Sequence, residues 1–205
     1  DPLKFVNTYL IFYLVIDLYT RYILQKMPVL NIKPLLYLPF RKNQVVFYSL
    51  GKTILSFFNW AHAFFFIPFS IILLVEGYDP LGVIGWHLGI MALFFCNNFI
   101  NIMMNNKDTV FYPVVILLAL LGVFQYYGWF ELSIYTSPIF SSFYNLPWTA
   151  LLSWVLLSIL VLSAFNYFKR NMYLDAGLST KQTVATSEDL SWLNRFGNLG
   201  TFLKN

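Results

Sequence analysis

The 205-residue chain is 59% hydrophobic, 20% aromatic and only 11% charged, with a net charge of +4, whereas soluble domains carry about 25% charged residues. Its charges bunch between apolar runs of roughly 18–24 residues, close to the ~20 residues a helix needs to cross a ~30 Å hydrocarbon core. This is the pattern of an all-α, polytopic helical membrane protein. A transmembrane β-barrel would need alternating segments of about ten residues, which are absent, and cations confined to loops and span ends are no nucleic-acid footprint.

In chain order, the first predicted span runs from about Phe5 to Leu24. Asp17 and Arg21 lie i,i+4 on it and can pair within the helix, with Arg21 near one end and able to snorkel. The chain begins at Asp1, close to this span, which reads as a piece of a longer protein with at least one earlier span. Next comes "KPLLYLPFRKNQVVFYSLGKT", Lys33 to Thr53. Its end, Gly51-Lys52-Thr53, looks like a phosphate loop. That loop needs a glycine five positions before Gly51, and Val46 is there, with no preceding strand. The same residues read better as a cytoplasmic element. Pro34 can start a short helix, Leu35, Leu36 and Leu38 give it an apolar side, and Pro39 stops it. Arg41-Lys42-Asn43-Gln44 then face water, and Val45-Val46-Phe47 and Leu50 lead into the next span, with Lys52 snorkelling. An ordinary amphipathic loop anchored by its cations fits these residues as well.

The second span runs from about Ser56 to Val75, with Pro68 predicted to kink it and with Asn59 and His62 one turn apart. Glu76-Gly77-Tyr78-Asp79-Pro80 is a tight turn. The third span, about Leu81–Met104, carries His87, Asn98 and Asn105 within about 20° of one line and Asn101 about 40° away. This polar stripe fits an interhelical hydrogen-bond row worth about 0.6 kcal/mol per contact better than the lining of a path or a dimer seam. The single Cys96 lies in the same span and leaves the redox compartment unread. After a turn at Asn105–Asp108 comes a fourth span, about Val110–Tyr127. Gly128–Leu146 follows, rich in aromatics and free of Lys and Arg, which predicts an ordered, partly helical segment at the outer face. A fifth span covers about Pro147–Phe168, so that residues 1–170 form a transmembrane domain. In the tail, residues 171–205, "STKQTVATSED" is a polar linker and "LSWLNRFGNLGTFLKN" an amphipathic segment suited to lying in the cytoplasmic interface.

Of the 13 Lys and Arg residues, placing the Lys26–Lys52 loop, the turn at Lys107 and the tail in the cytoplasm leaves only Lys4 outside. The positive-inside rule then sets the N-terminus outside and the C-terminus inside. No H-E-x-x-H metal pattern and no G-x-S-x-G nucleophile motif occurs, no chain of ionisable groups for a proton relay is legible, and no cofactor is implied.

"PLLYLPFRKNQVVFYSLGKTIL", Pro34 to Leu55, resembles the segment between the second and third spans of the permease subunit of type-2 ABC exporters. The matching residues are Leu35, Leu36, Leu38, Pro39, Arg41, Val45, Val46, Gly51 and Lys52. In that family the segment is the coupling helix that docks onto a separate ATP-binding subunit. The five spans would be the second to sixth of a six-span half, and Gly128–Leu146 takes the place of an outer segment that often dips back into the membrane. The tail "DLSWLNRFGNLGTFLKN" resembles the middle of an uncharacterised bacterial family of permease-like proteins, in which a second membrane half follows. The resemblance implies a multi-pass protein of the bacterial inner membrane that hydrolyses no ATP itself. Its partners would be a cytoplasmic ATPase bound through Leu35, Leu36, Leu38, Pro39, Arg41, Lys42, Val45 and Val46, and a second permease half or a second copy. A non-transporting membrane scaffold with the same fold is the alternative. A membrane enzyme is a third reading, without residue evidence.

Overall fold

A computed structural model describes residues 1–25, 39–104 and 108–178. Those residues are helical, with no strand among them. The chain divides into two compact units, Asp1–Arg170 and Asn171–Asn205, and the helix bundle is the first.

Helix α1 covers Pro2–Leu24, with the Asp1 side chain accepting from the Lys4 backbone N–H as its cap and Pro2 in the first turn, where a missing N–H costs nothing. Helix α2, Lys42–Ile54, is short and amphipathic. It ends at Leu55, and the Ser56 hydroxyl accepts from the Phe58 N–H to start α3, Phe57–Val75. The sequence suggests a chain running up into one span at this point; the structure has two helices with a break at Leu55–Ser56. Gly77, at φ +87°, takes the left-handed conformation that glycine adopts without steric cost, and α4, Pro80–Met104, begins three residues later. Helix α5 covers Asp108–Tyr126 and ends near Gly128, at φ +70°. The aromatic segment folds into α6, Leu132–Asn145, followed by a 3₁₀ turn at Pro147–Thr149 and by α7, Ala150–Leu178. Thus α7 continues ten residues past the end expected at Phe168.

Four stretches are long and apolar enough to cross a membrane: Pro2–Leu24, Lys42–Val75, Pro80–Met104 and Pro147–Arg170. Phe111–Tyr126 is apolar but shorter. The bundle has an apolar core, but its outer faces are apolar as well and a set of polar side chains lies inside. Phe64, Val75, Leu81 and Trp129 are exposed, while Asn7, Asp17, Arg21, Asn59, His62, Asn97, Asn98 and Asn101 are buried. Large contiguous apolar surface is rare on soluble monomers, whereas polar groups in a bilayer turn towards protein.

Helix α4 is the centre of the bundle, packing against α1, α3 and α6 and, less extensively, α2 and α5. Glycines make one of these approaches possible. A Cβ added at Gly82, Gly85 or Gly89 would lie 2.7 Å from Tyr144, Pro147 or Phe143, respectively. The three glycines, spaced by three and four residues, therefore form a seam along α4 into which α6 and the 3₁₀ turn settle. Small residues serve close helix approach in membranes in this way.

Candidate functional site

The inward face of α1 reads Leu3, Asn7, Leu10, Asp17 and Arg21, all buried. With half-buried Leu14 the steps are of three or four residues, so these positions fall on one side of the helix. On α3 the inward face is Asn59, His62, Phe66, Ser70 and Leu73. Both helices put apolar residues mid-face and ionisable residues towards one end. There the side chains meet.

Arg21 is fully buried. Its Nε–H is shared between Asp17 Oδ1 at 2.9 Å and Oδ2 at 2.8 Å. Its Nη2 donates to the Phe58 carbonyl at 3.2 Å and its Nη1 to Gln25 Oε1 at 3.3 Å. His62 Nε2 lies 2.9 Å from Asp17 Oδ1 and 3.2 Å from Arg21 Nη2, and the Tyr13 hydroxyl lies 3.1 Å from His62 Nδ1. From α4, Asn97 Nδ2 donates to Asp17 Oδ2 at 3.0 Å and to the Leu14 carbonyl at 2.8 Å. The carboxylate thus has a guanidinium, an imidazole and an amide around it, one or more from each of three helices. A charge buried without partners costs several kcal/mol or more; here each oxygen has two.

The network continues towards α2. Gln25 Nε2 donates to Asn98 Oδ1 at 2.9 Å, and Asn98 Nδ2 donates to Thr53 Oγ1 at 3.1 Å. Thr53 is also held from α3, where Asn59 Nδ2 donates to its carbonyl at 3.0 Å. Asn101 Nδ2 donates to the Arg21 carbonyl at 3.4 Å. Three buried oxygens near this junction, Ser49 Oγ, Asn59 Oδ1 and Asn101 Oδ1, have no protein partner.

The predicted polar stripe on α4 is divided in the structure. Asn98 and Asn101 belong to the network just described. His87 turns to α3, its Nδ1 2.8 Å from the Ser70 hydroxyl. Asn105 lies outside the described residues. The expectation of no ionisable chain is corrected: Tyr13, His62, Asp17 and Arg21 are linked one to the next. Asn97, absent from the predicted site residues, contacts the carboxylate directly. The signal that could have found it is helical spacing, since Asn97 and Asn101 are one turn apart on the side of α4 that carries Trp86, Ile90 and Phe94.

Of the predicted docking residues, Leu35, Leu36 and Leu38 also lie outside the described residues. Pro39 and Arg41 are exposed. Val45 and Val46 are buried. The outward side of this region carries Phe40, Phe47 and Tyr48, and Phe40, Gln44, Val45 and Tyr48 line a groove of about 390 Å³. Among the described residues no group of three or more His, Cys, Asp or Glu side chains could hold a metal ion.

An all-helical bundle with apolar outer faces and an ion pair in its interior defines a helical protein fit for a membrane. More particularly, the chain belongs to DUF5687, a family of unknown function, whose model it matches over residues 1–205. No curated protein matches it, and no solved structure does.

Proposed function

We propose that the protein is a membrane-spanning permease component of an ATP-driven exporter, coupled to a separate cytoplasmic ATPase through the Pro34–Lys52 region. In this reading Phe111–Tyr126 adds a fifth crossing, the N-terminus of the chain is outside, and the membrane is the bacterial inner membrane. The sequence resemblance across Pro34–Leu55 and the one-sided distribution of cations support it.

One structural observation carries the reading furthest. Helix α2 is joined to the bundle interior by hydrogen bonds, from Thr53 to Asn98, then to Gln25 and Arg21. A force applied to its outward side is therefore delivered to the Asp17–Arg21 pair rather than lost in a loose loop. A mechanical coupler needs such stiffness. Arg41, exposed at the start of α2, suits an acidic rim on the partner, where charges act mostly on association rate. Phe47, 75% exposed, suits an apolar groove, and burying a side chain of that kind contributes about 1.5–3 kcal/mol.

The test uses the full-length protein expressed in its own host and purified in mild detergent. The exporter reading expects a phosphate-loop ATPase to co-purify and its hydrolysis to be stimulated. Phe47→Asp should abolish the stimulation and Arg41→Ala should reduce it, with membrane insertion unchanged. A chain that purifies without an ATPase contradicts the reading and favours a scaffold.

A further inference from the structure

Helices α2 and α3 meet at a break that no residue type forces. No proline lies between Gly51 and Pro68, and Leu55, with φ −81° and ψ 10°, stays near helical backbone. Ser56 has φ −66° but ψ 145°, against about −63° and about −42° in an α-helix. The two helices are therefore separated mainly by one torsion angle, ψ of Ser56. Unbroken, Lys42–Val75 would be a single helix of 34 residues.

Side chains take over the main-chain hydrogen bonds given up at the break. In a continuous helix the Thr53 and Ile54 carbonyls would accept from the Phe57 and Phe58 N–H groups. Here the Asn59 side chain serves both carbonyls, its Nδ2 donating to Thr53 O at 3.0 Å and to Ile54 O at 2.9 Å. The Phe58 N–H donates instead to Ser56 Oγ at 3.2 Å. Asn59 is buried and its Oδ1 has no protein partner, so its place at the break is set by its donors. The two carbonyls thus have donors in either form, from a side chain when the helix is broken and from the main chain when it is straight, as buried backbone requires. The network around the charged cluster grips both sides of the break. Arg21 Nη2 donates to the Phe58 carbonyl at the start of α3, and Asn98 Nδ2 donates to Thr53 Oγ1 at the end of α2.

We propose that Leu55–Ser56 is a hinge between two states of this segment, latched by Ser56 and Asn59. In the latched state, the one described above, the Ser56 hydroxyl and the Asn59 amide hold α2 and α3 as separate helices. In the straight state ψ of Ser56 turns to its helical value, the Phe57 and Phe58 N–H groups replace the Asn59 amide on α2, and Thr53 parts from Asn98. Hinges concentrate a large change of backbone angle in a few positions at the ends of elements. The straight helix would be about 50 Å long, longer than a ~30 Å hydrocarbon core, so its α2 part would project past the core. Straightening opens the Thr53–Asn98 bond, and through it the hinge is coupled to the charged cluster. The proposal goes beyond the exporter reading and does not need it: the segment can bend in a chain that binds no ATPase, and an ATPase can dock on a rigid α2.

The experiment is a spin-label distance measurement, by double electron–electron resonance, on the full chain in lipid nanodiscs. The single Cys96 is replaced by alanine, and labels are carried by Asn43→Cys in α2 and Ile71→Cys in α3, both exposed positions. Phe57→Pro, at an exposed residue, supplies the reference for the broken state. Proline suits the first position of a helix, pushes the residue before it to an extended ψ and cannot continue a helix from α2. The native hinge should show the distance of that reference together with a second maximum at about 42 Å, the rise of one continuous helix between the two labels. In Ser56→Ala combined with Asn59→Ala the ratio of the second maximum to the first should rise about tenfold or more, because both latch groups are gone. A native distribution identical to that of Phe57→Pro, with no second maximum, overturns the hinge. A double variant with the native ratio overturns the assignment of Ser56 and Asn59 as its latch. The comparison of the native hinge with Phe57→Pro does not need the latch variant to fold.

Discussion

The two ends of the central packing between α1 and α4 are held by different physics. At one end Trp86 Nε1 donates to Asn7 Oδ1 at 2.8 Å, Asn7 Nδ2 donates to Ser141 Oγ at 3.1 Å, and the glycine seam admits Phe143 and Pro147. These are neutral groups fitted by shape. At the other end Asp17 and Arg21 are held in place by His62, Asn97 and Gln25. A substitution at the neutral end strands at most one uncharged polar group, because no charge is left behind. The charged end fails as a unit, because each member exists to satisfy another. An ion pair is a poor way to gain stability, since apolar residues of similar volume often do as well. Its presence in a bundle that could have been closed with leucine is what marks that end as the functional candidate.

The largest difference between the ends should come from Arg21→Met, which leaves Asp17 buried with only an imidazole and an amide. A loss of about 3–5 kcal/mol is expected for breaking one side of a buried pair, read from unfolding of the detergent-solubilised protein. Asp17→Leu combined with Arg21→Met should recover most of that loss, because it removes both charges. If the double variant is as unstable as the single, the charged end is not a unit. At the neutral end Gly85→Leu should cost about 1–3 kcal/mol by overpacking, since the new Cβ meets Pro147 Cβ at 2.7 Å and the Phe143 carbonyl oxygen at 2.9 Å. Cross-linking between cysteines placed at Ser133 and Gln125, whose side chains are bonded at 3.0 Å, reports whether α6 stays seated on α5 in that variant; it should. Trp86→Phe keeps the ring and leaves Asn7 Oδ1 without its donor, at about 1 kcal/mol. The smallest effect, about 0.6 kcal/mol, is expected for Thr53→Val, which removes one interhelical hydrogen bond of average strength. That variant should nonetheless reduce stimulation of a bound ATPase if α2 transmits force through Thr53.

Much of the helical order was legible because the hydropathy of this chain is strongly segmented. Leu24, Val75 and Met104 end their helices where the apolar runs end. The Asp17–Arg21 pair follows from a spacing of four on one helix. The link to His62 was not legible, because residues 45 positions apart meet only where α1 and α3 each pack against α4, which no local pattern encodes. The start expected at about Ser56 coincides with the capped start of α3; the helix over Lys42–Ile54 was not legible, because its polar and apolar residues also suit a loop leading into the span. His87 and Asn98 each bond to another helix, but to different ones. A shared helix face is not a shared neighbour, and α4 meets α3 at His87 but α1 and α2 at Asn98. The glycines at 82, 85 and 89 were visible, and their spacing predicts a close approach once a partner such as α6 is known.

The central claim is that the ionised cluster joins α1 to α3 and acts as one unit. A double-mutant cycle between Asp17 and His62 tests it most directly, with Asp17→Leu, His62→Leu and the double variant compared for unfolding free energy in the same bilayer mimic. The cycle removes the separate cost of stranding Arg21, which is common to both variants that lack Asp17. The account predicts a coupling of about 1.5–3 kcal/mol, as for a hydrogen bond to a charged group. Additive losses, within about 0.5 kcal/mol, would contradict it.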